Sequence, residues 1–241
     1  MRVLAVNLRG QIIADSMRSY PLLTPQPGWT EQNPSNWVEV SLNALSNVAE
    51  QLDGHRAIAL GLSGQMHGMV LLAAEGKIIR PAILWNDQLT GKAVDAIYAT
   101  ISRQELIKRT GNCMVTGFQL PKLIWLRTEE PLAYARLRHC LLPKDYIGYL
   151  LTGESVTDPS VACGVGCLNI ASRQWDTDIL NALNISPTLF PPVVKSSVIA
   201  GRLKSEIAAR VRLPTQLPVV AGGSDSAAAA VSLGISSSNL N

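Results

Sequence analysis

The sequence predicts an α/β fold, and three observations carry that expectation. Short apolar runs, Ala57–Leu62 and Pro218–Gly223, lead into glycine-bearing turns in the manner of buried strands. Other segments repeat apolar residues at helical spacing, most clearly Val38, Leu42, Leu45, Val48 and Leu52. The two patterns alternate along 241 residues, which suits one large domain or two small ones.

The elements are read in order. Arg2–Asn7 and Gln11–Ser19 flank a turn ending in Gly10 and predict a β-hairpin. A Pro- and Gly-rich loop from Leu22 to Asn33 follows, and Asn33-Pro34 starts a helix with a capping side chain and a first-turn proline. Ala57–Leu62 is expected as a buried central strand. Met69–Leu72 and Ile78–Trp85, joined at Glu75-Gly76, suggest a second hairpin. Asp87 to Leu151 reads as mostly helical, broken at Gly111, Gly117, Pro121, Pro131 and Pro143 and ended by Gly153. The change at Leu84–Asn86 suggests an inserted, mainly helical subdomain. Val161–Ile170 is expected as a strand, Thr177–Leu183 and Gly201–Val211 as helices, and Pro218–Gly223 as a strand running into Asp225 and the helix Ser226–Leu233.

Composition excludes several classes. Hydrophobic residues make up 47% and charged residues 16%, which supports a buried core rather than disorder. The formal net charge of +3 is scattered, so no nucleic-acid-binding patch is expected. No apolar stretch has membrane-spanning length, and the first residues do not follow a signal-peptide pattern. Cys113, Cys140, Cys163 and Cys167 have no second close pair to complete a tetrahedral site, so free thiols in the cytoplasm are expected, and no metal site.

Two strand ends carry polar groups beside glycines: Ser63-Gly64-Gln65-Met66-His67-Gly68 and Gly222-Gly223-Ser224-Asp225-Ser226. Open α/β sheets bind ligands beyond the carboxyl ends of their strands. A His from one end and an Asp from the other would suit a polyol, the His donating to a sugar oxygen and the Asp accepting a hydroxyl proton. Local sequence alone favours a plainer role for Asp225, as a helix N-cap, and leaves His67 open as a turn residue satisfied by the backbone.

At these residues the chain resembles the N-terminal domain of the FGGY carbohydrate kinases, in particular their xylulokinase branch. The matching segments are Gly28-Trp29-Thr30-Glu31-Gln32-Asn33-Pro34, Gly64-Gln65-Met66-His67-Gly68, Pro81-Ala82-Ile83-Leu84-Trp85-Asn86-Asp87, Leu142-Pro143-Lys144-Asp145-Tyr146 and Val219-Val220-Ala221-Gly222-Gly223-Ser224-Asp225. Gly117 to Leu126 resembles a family signature, with Gln119 where a small, hydroxyl or proline residue is usual.

The resemblance implies an actin-like ATPase (ribonuclease H-like) fold and phosphoryl transfer from ATP, with Mg, to a ketopentose such as D-xylulose. It implies Asp225 as catalytic base and Met66 and His67 as sugar contacts, with Gln65, Ser226, Trp29, Trp85, Asn86 and Asp87 around the pocket. Ser226 stands where the branch usually has Asn, which leaves another sugar or polyol, or a non-catalytic sugar-binding module, as alternatives.

By this alignment residues 1–241 are the sugar-binding domain. The family's first strand with its phosphate loop would precede Met1, and the ATP-binding domain would follow Ser236–Asn241. This chain alone is therefore expected to bind no ATP and to be inactive, with the missing ATP-binding domain as a partner. An exposed Arg2–Asn7 edge would favour a homodimer.

Overall fold

The computed structural model describes residues 1–52 and 54–235; the segment 236–241, where the resemblance stops, lies outside them. β1 (Arg2–Val6) and β2 (Ile12–Met17) form the expected antiparallel hairpin, turned at Gly10 with φ +78°. Arg2 and Asp15 pair across its exposed face, a contact of small energetic weight in water. β3 (Glu31–Gln32) precedes α1 (Pro34–Glu50). Asn33 caps α1 by accepting from the Ser35 N–H, and Pro34 opens it, as the sequence indicates. Trp37, Leu42, Leu45 and Val48 bury one face.

The middle of the chain departs from expectation in instructive ways. β4 (Leu60–Gly64) begins three residues later than predicted and is an edge strand with alternating partial exposure, not a buried central one. β5 (Val70–Leu72) and β6 (Ala82–Ile83) make only single bridges of a hairpin, Met69 to Ile83 and Leu72 to Ile78. Pro81 has no N–H to extend that ladder, and β6 pairs with β3 instead.

α2 (Gly91–Thr100) and α3 (Arg103–Thr110) follow, α3 ending on Gly111 at φ +72°. Pro121 does not break α4 (Gln119–Glu129): it lies in the first turn, where the helix uses no N–H. α5 (Pro131–Ala135), β7 (His139–Leu141) and α6 (Pro143–Thr152) complete the region, and α6 stops on Gly153. β7 interrupts the predicted helical stretch and pairs antiparallel with β5.

The last third holds α7 (Pro159–Ala162), β8 (Leu168–Asn169), β9 (Gln174–Trp175), α8 (Thr177–Ala182), β10 (Ile199–Arg202), α9 (Ser205–Val211), β11 (Pro218–Ser224) and α10 (Asp225–Ser232). The strand expected over Val161–Ile170 is a helical turn plus the two-residue β8. Asp158 and Pro159 nucleate the turn, and Gly166 ends it at φ +96°. The helix expected from Gly201 starts at Ser205, because Ile199–Arg202 is drawn into the sheet by β11.

The sheet order is β10-β11-β4, antiparallel and then parallel. One apolar cluster joins it to α1, α6 and α9 through Trp37, Leu42, Tyr146, Ala208 and Val219. A second gathers α2, α3, α4 and α8 around Ile97, Leu106, Leu123 and Ile179. Among the described residues β1 pairs only with β2. Between β1 and β4 run two hollows of ≈ 360 and ≈ 630 Å³, lined by Val3, Leu4, Leu45 and Leu60 among others. The free side of β4 faces these hollows, which is why its leucines are only half-buried. No helix of the described residues is long and apolar enough to cross a membrane.

Gly222 is the tightest point of the sheet. Its φ is +74°, and a Cβ there would fall on the Leu62 carbonyl oxygen of β4. Gly222→Ala should lower unfolding stability by at least about 2 kcal/mol, from left-handed strain plus displacement of β4. Chemical denaturation checks this, and an unchanged midpoint would show that β4 and β11 are not held this closely.

Candidate active site

β4 and β11 run parallel, and their last residues lie side by side, Ser63 opposite Gly223 and Gly64 opposite Ser224. Beyond them project the Gln65–Gly68 loop and the start of α10. The sequence thus brings its two glycine-flanked polar segments to one end of one sheet.

His67 occupies a left-handed bend with φ 63°, a strained choice for a residue with a side chain. Its ring stacks on Phe118, with centroids 4.9 Å apart and planes 17° apart. Nδ1 lies 3.0 Å from the Gly164 carbonyl oxygen. A carbonyl only accepts, so Nδ1 carries the proton, and the neutral ring presents Nε2 as an acceptor. The sequence suggests His67 as a donor to a sugar oxygen; in this tautomer Nε2 offers an acceptor instead.

Burial lowers the His67 pKa most. The Gly164 carbonyl opposes that effect, Lys122 adds to it, and Asp225 opposes it by attracting the imidazolium. Gly164 is required for this fit, since a Cβ there would lie 2.6 Å from Nδ1. Met66 is half-buried and packs against the helical cluster, while Gln65 is half-buried in the loop.

Asp225 is not the helix cap that local sequence favours. Ser224 takes that role, its Oγ accepting from the Ala227 N–H at 3.1 Å. Asp225 becomes the first helical residue and is exposed, with Oδ1 accepting from the Ser226 N–H at 2.7 Å. The exposed Ser226 hydroxyl turns toward the same oxygen at 3.4 Å. A carboxylate at a helix N-terminus is favoured by the helix dipole.

The turn before Asp225 rests on a polar network centred on buried Asp158, Lys144 and Asp145; Lys144 and Asp145 lie in one of the matching segments, while the sequence did not single out Asp158, Ser160 or Ser196. The Ser224 N–H donates to Ser160 Oγ at 2.8 Å, and Ser160 donates to Asp158 Oδ2 at 2.6 Å. Ser196 also donates to that oxygen, at 2.8 Å. Lys144 Nζ donates to Asp145 Oδ1 and to the Ala221 carbonyl, each at 2.7 Å, and lies 3.4 Å from Asp158 Oδ1. Burial pushes the Asp145 carboxyl above its ordinary value, opposed by Lys144. Reading Val161–Ile170 as a strand hid this group; the Asp158-Pro159 helix start was its visible signal.

The remaining expected residues sit in neighbouring loops. Asp87 is fully buried, and its two oxygens accept from the Thr30 and Leu89 N–H groups at 2.7 and 2.9 Å. It ties the Trp29 loop to the Trp85 loop. Trp29 meets Trp125 edge to face at 5.4 Å. Trp125 in turn lies under Arg80, which is paired with Glu31 and Glu130. Trp85 is 56% exposed and Asn86 is also exposed. A Cβ at Gly117 would lie 2.7 Å from the Trp85 carbonyl oxygen, so the Trp85 loop abuts the residue beside Phe118.

All four thiols are free, as expected. The described residues include no group of three or more His, Cys, Asp or Glu able to hold a metal ion.

Comparison with known proteins gives a consistent pattern. The model of the N-terminal domain of the FGGY family of carbohydrate kinases matches residues 1–232. The xylulose kinase of Escherichia coli (strain K12) is 36% identical over 239 residues, covering 99% of this chain and 49% of that protein. The xylulose kinase of Bacillus subtilis (strain 168) is 37% identical over 245 residues, covering 99% and 48%. The crystal structure of xylulose kinase from Rhodospirillum rubrum superposes with a TM-score of 0.93 at 30% identity, covering 97% of this chain and 49% of that one. The chain spans about half the length of the curated relatives it matches.

If His67 and Asp225 share one cleft, the Asp225 carboxylate must act on the His67 ring. The His67 imidazole should titrate below its ordinary 6.5. Asp225→Asn should lower it further, because the attraction that stabilises the imidazolium is gone. NMR titration of the imidazole C–H signals, assigned with His67→Gln, measures both. A His67 pKa indifferent to Asp225→Asn would place the two groups apart.

Proposed function

Because the chain belongs to the FGGY family of carbohydrate kinases, we propose that it is the sugar-binding domain of a xylulokinase-type enzyme that phosphorylates a ketopentose such as D-xylulose. The exposed Asp225 carboxylate at the start of α10, beside the fixed His67 ring, carries this reading. ATP would supply the phosphoryl group, and its binding is assigned to a domain corresponding to the other half of the relatives. Magnesium, which needs only one or two carboxylates when it shares nucleotide phosphates, would neutralise the charge of the transferring phosphoryl group.

Each residue then has a task. Nε2 of His67 accepts a hydrogen bond from one sugar hydroxyl, and that bond orients the substrate. Asp225 faces the hydroxyl that is to be phosphorylated, aligns its lone pair, and accepts its proton as the new O–P bond forms. In phosphoryl transfer such positioning and charge stabilisation make up most of what the protein contributes. Trp85, exposed on its loop, offers an apolar face to the carbon side of a pentulose. Met66 and Gln65 line the loop beside His67, and Asn86 supplies an exposed amide next to Trp85. Asp87 and Trp29 hold the two tryptophan loops in place. Ser226 supplies one hydroxyl at the floor of the site, and its present engagement with Asp225 makes it the residue where sugar preference is set. Four free thiols suit a cytoplasmic enzyme.

Calorimetry of D-xylulose with this chain tests the binding half. His67→Ala should weaken binding by about 1–3 kcal/mol, the cost of an unpaired buried hydroxyl, while Asp225→Ala should leave affinity nearly unchanged. In a two-domain enzyme carrying this chain, Asp225→Ala should lower the turnover rate by about a hundredfold to ten-thousandfold. The reverse pattern, with His67 controlling rate and Asp225 controlling affinity, would exchange the assigned roles. No heat with any pentulose would remove the reading.

A further inference from the structure

The Gln65–Gly68 loop makes one hydrogen bond across its own bend, from the Gly68 N–H to the Met66 carbonyl at 2.7 Å. A histidine at φ 63° needs more than that, and side chains at the start of α4, together with Gly164, supply further support. Phe118 takes the ring face. Gln119 Nε2 donates to the Gly68 carbonyl at 2.5 Å and to the Leu141 carbonyl at 3.0 Å. Lys122 Nζ donates to the His67 carbonyl at 2.8 Å and to the Gly117 carbonyl at 2.7 Å.

Lys122 is the costly member of this set. It is fully buried, and among the described residues it makes no direct ion pair. The ionisable groups that face it are Asp87, whose oxygens already serve two backbone amides, the buried Cys140 thiol and the His67 imidazole itself. A leucine or methionine in its place would avoid the desolvation of an ammonium. Two backbone carbonyls, one on each side of the bend, are what its amino group serves. Burial pushes the Lys122 pKa down to about 7, yet a neutral amine still has two N–H bonds, so both carbonyls stay satisfied on either side of that titration.

We propose that Lys122 is a positioning residue for sugar recognition: by bridging the His67 and Gly117 carbonyls it locks the left-handed bend that aims the imidazole into the cleft. Gln119, at a position where the resemblance leads one to expect a smaller residue, is the second pin, on Gly68. The assignment rests on the reading of His67 as a sugar contact, and the experiment separates the two.

Lys122→Met keeps the aliphatic stem and removes both donors. Lys122→Gln keeps an uncharged donor group on a shorter stem and serves as the milder variant should the first fail to fold. Two measurements are made on the folded 241-residue chain. The first needs no sugar: the chemical shifts and titration of the His67 imidazole, with His55 and His139 as internal controls. In both variants the His67 pKa should rise, since each removes the lowering charge; the His67 signals should move most in Lys122→Met, with Lys122→Gln between it and wild type. The second is calorimetry with D-xylulose, in which Lys122→Met should bind roughly tenfold more weakly.

Folded variants with unchanged His67 signals and titration overturn the proposal. So does a moved His67 with unchanged pentulose affinity, because the lock would then have no bearing on the sugar. A wild-type chain that binds no pentulose, while its variants still show a displaced His67, upholds the lock and defeats the functional reading instead.

Discussion

Two parallel strands approach each other so closely that one of them must be glycine at the crossing. Gly222, at φ +74°, lets β11 lie against the Leu62 carbonyl of β4. The juxtaposition of the two glycine-flanked segments depends on that approach. It brings the end of β4, with His67, beside the end of β11, with Asp225. It also places Ala221 where its carbonyl can accept from Lys144, which links the strand to the buried carboxylates of Asp145 and Asp158.

The two functional groups are then held by different physical means. His67 is fixed by close packing: a stacked phenyl ring, a carbonyl reachable only because residue 164 lacks a Cβ, and a buried amine behind the loop. Asp225 is fixed through the backbone: the turn before it is pinned by Ser160, which is pinned by Asp158. The first arrangement gives a ring with one defined tautomer. The second leaves an exposed carboxylate at a helix N-terminus, engaged by the adjacent Ser226, while the serine before it does the capping. In the proposed function the fixed ring would select a hydroxyl and the exposed carboxylate would activate it.

Much of this was legible in the sequence, and what was not has identifiable causes. Asn33-Pro34, the β1–β2 hairpin, and β11 running into α10 are set by local chemistry, namely caps, turns and short apolar runs, and they appear where expected. The strand expected over Val161–Ile170 and the helix expected from Gly201 failed because tertiary pairing and an N-cap overrode apolar patterning. The interior position of β4 failed for a related reason: apolar content does not reveal whether a strand has one neighbour or two. At the site, Gly64–Gly68 and Gly222–Ser226 stood out as glycine-flanked polar groups. Phe118 and Lys122 lay within the signature-like segment Gly117–Leu126 but without a role of their own, and Gly164 and Ser160 did not stand out, since each acts through a partner 40 or more positions away (His67 lies 51 positions from Phe118, for example).

The central claim is that the ends of β4 and β11 form one sugar-binding cleft. A two-dimensional NMR titration of this chain with D-xylulose addresses it without needing turnover. Resonances of His67, Gly68, Asp225 and Ser226 should shift together along one saturation curve, with the Trp85 indole following. Shifts confined to the hollows between β1 and β4, around Val3 and Leu60, or the absence of any saturable shift at His67 and Asp225, would contradict it.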